Sequence, residues 1–261
     1  MGSLAGKSPA DTYKSLLKVA DETNGVSTSA SRIEDGEGTA SCVAIGDDNL
    51  TVQPQNDNTS TTFTVSNASG TTVLAADTSN ATVKVGSSQA HANTQILDFA
   101  AYRLVPVAGT HYFIPCSGNN FAGSALAEVA CGTGTDPDAS LDAGATTDEL
   151  VNMLFLAPYN LTIDGAKFMV STDTDTDTTI NVHLYKFTMV NAGGVADGNL
   201  IGGTLLATAQ ATAVDRNVLK SGGLSISSSS VSADEVIACF VENETNTDDI
   251  NIRVQVKYHI A

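Results

Sequence analysis

A chain of 261 residues with 42% hydrophobic but only 16% charged side chains falls below the charged share usual for a globular enzyme domain, about 25%. Its net charge of −17, from 12 basic against 29 acidic residues, speaks against nucleic acid and anionic membrane surfaces as partners, because both demand clustered Lys and Arg. Trp is absent and Phe and Tyr together make 5%, so a core must be built from Val, Ile, Leu and Ala.

The first predicted element is a helix over Ser8–Ala20. Ser8 is a good N-cap, Pro9 suits the first helical position, and Asp11 lies in the first turn. Tyr13, Leu16, Leu17 and Ala20 share one face at spacings of three, four and seven. Alone in water such a helix is marginal, so the face must pack on something: its own chain's core, the same helix of sister chains, or a neighbouring protein. These four residues are the candidate assembly site, and residues 1–38, with the polar connector Glu34-Asp35-Gly36-Glu37-Gly38, form the expected attachment region.

Short alternating runs with turn punctuation follow in residues 39–91. They include Leu50-Thr51-Val52, Thr62-Phe63-Thr64-Val65, Thr71-Thr72-Val73-Leu74 and Thr82-Val83-Lys84-Val85, separated by Gly, Asn and Asp. Large apolar side chains are few here, and a segment with so little to bury does not readily stabilise itself alone. Copies wound about a common axis would close its sheets and hide their edges, which predicts a thin β stalk.

From residue 92 to 261 the apolar residues become larger and denser. Expected strands are Glu149–Phe155, Gly165–Val170, Thr179–Phe187, Glu235–Val241 and Ile250–Tyr258, the last alternating over nine residues. Many strands with polar turns predict a β-sandwich head, jelly-roll-like. Residues 117–147 and 188–203 read as long Gly/Ala/Asp-rich loops, suited to contact with a partner. The fold class is therefore mostly β: a short N-terminal helix, a thin stalk and a β-sandwich head.

The chemical motifs are weak. Gly2-Ser3-Leu4-Ala5-Gly6-Lys7-Ser8 has one residue too few between its glycines for a phosphate loop. Asp173-Thr174-Asp175-Thr176-Asp177 opens like a calcium loop, but Thr178 and Leu184 stand where Gly and Glu belong. Neither Gly-x-Ser-x-Gly nor His-Glu-x-x-His occurs, and the pair Asp234-Glu235 reads as a solvated turn. His91, His111, His183 and His259 are isolated in sequence, so no metal or cofactor is expected, and the expectation is a non-enzymatic chain. Cys42, Cys116, Cys131 and Cys239 are widely spaced and read as reduced residues, with a single disulfide as the alternative. The opening residues lack an apolar signal-peptide core, and no apolar run is long enough to insert in a membrane.

Ser3–Leu17, the continuation Arg32-Ile33-Glu34-Asp35-Gly36-Glu37-Gly38-Thr39, and the unit from Phe63-Thr64-Val65 through Gly70, Val73-Leu74, Asp77 and Val83-Lys84-Val85-Gly86 resemble fibre-like virion structural proteins of tailed bacteriophages, particularly marine ones. The resemblance covers residues 3 to 95. It implies a homotrimeric fibre, spike or decoration protein of the virion, mounted on capsid, neck or tail. Other virion proteins would be held through the N-terminal region, with host adhesion as an added role. The alternative is a receptor-binding tail fibre that recognises a host surface glycan or protein.

Overall fold

The computed structural model describes residues 17–21, 23–86, 90–116, 130–133, 150–190 and 200–261. Every element assigned among them is a strand, and all the pairings are antiparallel, as the Thr/Val-rich sequence with Gly, Asn and Asp turns leads one to expect. No helix among the described residues is long and apolar enough to cross a membrane. The chain divides into two compact units, Met1–Ala92 and Asn93–Ala261.

The first unit holds two four-stranded meanders. β1 (Lys18–Val19), β2 (Ser31–Glu34), β3 (Ala40–Ile45) and β4 (Leu50–Val52) pair in sequence order. So do β5 (Phe63–Ser66), β6 (Thr72–Asp77), β7 (Thr82–Val85) and β8 (Ala90–His91). Short polar turns set these registers. Between β5 and β6, Asn67 Oδ1 accepts the backbone N–H of Ser69 (3.1 Å) and of Thr71 (2.9 Å), and Gly70 supplies the φ of 83° that the turn needs.

The second unit contains β9 (Thr94–Leu104), β10 (Thr110–Ile114), β11 (Ala130–Thr133), β12 (Leu154–Leu156), β13 (Leu161–Thr172) and β14 (Thr178–Met189). β15 (Leu200–Val214), β16 (Lys220–Gly223), β17 (Ser225–Ile226), β18 (Ser230–Val231), β19 (Glu235–Asn243) and β20 (Ile250–Ile260) complete it. One sheet runs β11-β10-β19-β14-β15-β17, with β12 also on β19; the other runs β16-β13-β20-β9, with β18 also on β13.

A single hydrophobic cluster draws on both sheets of this unit. Phe99, Val170, Val254 and Val256 come from the smaller sheet, and Ile114, Ile180, Val182, Leu184, Ile237 and Val241 from the larger. β20 shows the cause plainly: Ile250, Ile252, Val254 and Val256 are buried while Arg253, Gln255 and Lys257 are exposed. β14 and β19 differ in being buried on both faces, because a second cluster of Phe113, Tyr185, Phe187 and Phe240 covers the far side of the larger sheet. Phe113 and Phe240 lie 4.5 Å apart between ring centroids in a tilted arrangement, the geometry that aromatic quadrupoles favour.

Three expectations need correction. The helix over Ser8–Ala20 is not present where it can be seen: Lys18–Val19 is a strand paired with Ile33–Glu34, and Lys18 Nζ lies 3.2 Å from Glu34. Cross-strand pairing and that ion pair outweigh a helical spacing whose other members, Tyr13 and Leu16, lie outside the described residues. The strand expected at Glu149–Phe155 is a turn followed by Leu154–Leu156, and Glu149 lies outside the description. Of the two expected loops, 117–129, 134–149 and 191–199 lie outside it, whereas Ala130–Thr133 is β11 and residues 200–203 open β15. Asp173–Asp177, whose sequence departs from a calcium loop, is the turn between β13 and β14, and two of its carboxylates serve protein partners: Arg216 grips Asp175 bidentately at 2.7 and 2.6 Å, and Asp173 accepts the N–H of Asp249.

The cross-strand partner of Phe168 on β16 is Gly222, and a Cβ at Gly222 would stand 2.9 Å from Phe168 Cε1. Gly222→Ala is therefore expected to destabilise the protein by about 1–3 kcal/mol through overpacking. Gly223→Ala, whose Cβ would meet only the Ala166 carbonyl at 3.8 Å, should stay within about 0.5 kcal/mol of the parent. Urea unfolding of the two variants checks the contrast, and equal losses would contradict it.

Candidate assembly face

Alternation along β5, β6 and β7 places side chains on two unlike faces. Register sets Phe63 beside Ala76 and Ala76 beside Val83, and sets Val65 beside Leu74 and Leu74 beside Val85. Cross-strand partners share a side, so these six apolar residues form one continuous face. Phe63 is 44% exposed, Val65 45% and Val83 44%, far above what a packed core permits. Leu74 and Ala76 are half-buried.

The opposite face carries a hydrogen-bonded polar network centred on Asp77, with Val73 exposed beside it. Lys84 Nζ donates to Asp77 Oδ2 at 2.8 Å, while Asn80 donates its backbone N–H to Asp77 Oδ1 and its Nδ2 to Oδ2. The hydroxyls of Thr59, Thr62 and Thr78 interlink beside the end of the sheet. The Lys84 bond first, then the Asn80 bonds, hold the Asp77 carboxyl down at about 2. Asp77 and Ala75 are the only buried residues among those described in the first unit.

The first meander repeats the pattern. Val19 and Ile33 face the same way as partners, as do Val43 with Val52 and Ile45 with Leu50, and Leu50 is 67% exposed. On the other side, Arg32 donates to the Ser41 carbonyl at 2.7 Å and to the Gln53 carbonyl at 3.2 Å, tying β2 across the hairpin. Each meander thus has an apolar face that the described residues of its own unit leave incompletely covered.

Of the residues expected from sequence to assemble, Tyr13 and Leu16 lie outside the described residues. Leu17 is 76% exposed just before β1, and Ala20 follows β1, donating its N–H to the Arg32 carbonyl at 2.8 Å. They do not form a helical stripe. The alternating faces that the structure reveals were open to a period-two reading of Phe63/Val65 and Val83/Val85. The four cysteines stand as thiols: Cys42 is exposed, Cys131 and Cys239 are buried, and burial pushes the Cys239 thiol pKa strongly upward.

No family model and no curated protein matches the chain. Among solved structures, it is similar to an α-amino acid ester hydrolase at 13% identity, covering 64% of this chain and 31% of that one with a TM-score of 0.29. It is also similar to a CocE/NonD family hydrolase from Staphylococcus aureus at 10% identity, covering 69% and 36% with a TM-score of 0.27. The chain therefore spans about a third of the length of these proteins. The expectation of a non-enzymatic chain is corrected here, since the similar structures bear hydrolase names and it is not kept. Likeness of this size carries no argument about a reaction, and no residue role passes from them to this chain.

Asp77 provides a direct handle on the second meander. Its folded-state pKa lies below the unfolded value of about 3.9, so its contribution to stability is present above about pH 4 and is lost as pH falls through about 2. Asp77→Asn should lower the melting temperature of the first unit at pH 6, with the gap to the parent closing between pH 4 and pH 2. Calorimetry across that window checks it, and a gap unchanged at pH 2 would contradict the assignment.

Proposed function

We propose that the chain is a structural component of a bacteriophage particle, a fibre, spike or decoration subunit that assembles as a homotrimer in the virion. In this reading the first unit is a stalk whose apolar faces are closed by sister copies, and the second is a jelly-roll-like head. The observation that carries it is the exposed face of Phe63, Val65, Leu74, Ala76, Val83 and Val85. An amphipathic sheet needs a second layer over its apolar side. Full burial of a Val or Phe side chain is worth about 1.5–3 kcal/mol, and these residues have gained roughly half of that within the single chain.

Identical copies suit the face better than a foreign partner. The chain carries a net charge of −17, which opposes self-association, yet the face itself bears no charge. Asp77 and Lys84, the charged residues of this sheet, point to its other side and neutralise each other. Rotational symmetry presents the same patch from every copy, which fits a self-complementary neutral surface. The number three and the particle come from the sequence resemblance of residues 3 to 95 to fibre-like virion proteins, with attachment to other virion proteins through the N-terminal region.

Light scattering on the purified chain at micromolar concentration is expected to give three times the 26.8 kDa of one chain. Val65→Glu with Val83→Glu, placing carboxylates at the centre of the face, should yield monomers while the unfolding transition of the second unit stays where it was. A parent protein that is monomeric, or a double variant that remains trimeric, would overturn the proposal.

A further inference from the structure

The second unit contains a group of side chains that sequence spacing keeps far apart. His111 on β10, Glu242 on β19 and His183 on β14 belong to three neighbouring strands of the larger sheet. Register places His111 opposite Glu242 and Glu242 opposite Asn181, and His183 lies two residues beyond Asn181 on the same side. All three therefore project from one face. They are 0%, 2% and 4% exposed for His111, Glu242 and His183, and one ligand atom from each lies within 4.8 Å of the others.

We propose that His111, His183 and Glu242 form a binding site for a divalent transition metal of the zinc class. Two imidazoles and one carboxylate are the donor set that such ions accept, whereas Ca²⁺ and Mg²⁺ favour all-oxygen sites. The distance between His111 Nε2 and Glu242 Oε2 is 3.6 Å. That is too long for a hydrogen bond but close to the edge of a tetrahedron about an ion with bonds of about 2.0–2.1 Å, which is about 3.4 Å. The rings of His111 and His183 stand 5.0 Å apart and are tilted at 52° rather than stacked flat.

Surrounding groups hold the ligands as a metal site requires. His183 Nδ1 lies 3.0 Å from Thr208 Oγ1; with Nδ1 as the donor, Nε2 keeps its lone pair for the ion. Asn181 Nδ2 donates to Glu242 Oε2 at 2.7 Å, and Asn181 Oδ1 in turn accepts Gln210 Nε2 at 3.0 Å. This chain of amides fixes the carboxylate from β15 inward. Along the same face the aromatic cluster of Tyr185, Phe113 and Phe240 makes an apolar border, which excludes water from one side of the site. A cation here offsets the desolvation of the Glu242 carboxylate and staples β10, β19 and β14 together.

The test uses the full chain, stripped with a chelator and titrated with Zn²⁺, with Co²⁺ as a spectroscopic substitute and Ca²⁺ as a hard-ion control. One Zn²⁺ per chain is expected, with a raised melting temperature, a visible Co²⁺ spectrum of low coordination number, and no effect of Ca²⁺. Glu242→Gln and His183→Gln should each weaken Zn²⁺ binding at least tenfold, while His259→Gln should not. Should either variant fail to fold, the imidazole resonances of the parent decide: those of His111 and His183 are expected to move on Zn²⁺ addition. Absence of stoichiometric binding, unchanged affinity in the folded variants, or unmoved His111 and His183 resonances would overturn the proposal.

Discussion

One constraint governs the fold: an antiparallel sheet with an apolar face must have that face covered, and the first unit possesses two such faces that its described residues leave incompletely covered. Turn chemistry from Asp35 in the first meander and from Asn67, Gly70 and Asp77 in the second sets hairpin registers, so each meander has a defined shape. Shape alone does not remove Phe63, Val65, Val83 or Leu50 from water. Among the described residues, local hydrogen bonding is met within one chain while hydrophobic burial is not, and the proposed trimer assigns the missing cover to sister copies.

The second unit solves the same problem internally. Its two sheets share a core in which Phe99, Val170 and Val254 meet Ile180, Leu184 and Ile237, and its larger sheet is buried on the far side as well. That double burial is what brings polar side chains such as His111, His183, Asn181 and Glu242 into a dry setting, where each must find partners. The two units thus differ physically: among the described residues the first leaves its apolar sheet faces half exposed, and the second buries both faces of its larger sheet.

Much of the β character was legible in the sequence because it is local. The alternation of Ile250-Asn251-Ile252-Arg253-Val254 survives intact in β20, and Thr179–Phe187 lies inside β14. β15 was hidden because its Gly202, Gly203, Ala207 and Ala209 lack strand-like side chains. It is held by pairing along almost its whole length with β14, information that no window of sequence contains. Leu17 to Ala20 misled for the opposite reason: a helical spacing was present, but the pairing of Val19 with Ile33 prevailed. His111 and His183, 72 positions apart, become neighbours only through the register of three strands, so isolated histidines in the sequence gave no hint of their meeting.

The most direct measurement of the central claim is hydroxyl-radical footprinting of the intact chain in solution, read residue by residue. If sister copies close the stalk, Phe63, Val65, Leu74 and Val83 should be oxidised several-fold more slowly than their exposure in a single chain implies, while Tyr102 and Tyr159, at 58% and 60% exposure in the second unit, react freely. Oxidation of the four stalk residues at the full rate that a solitary chain allows would contradict the account.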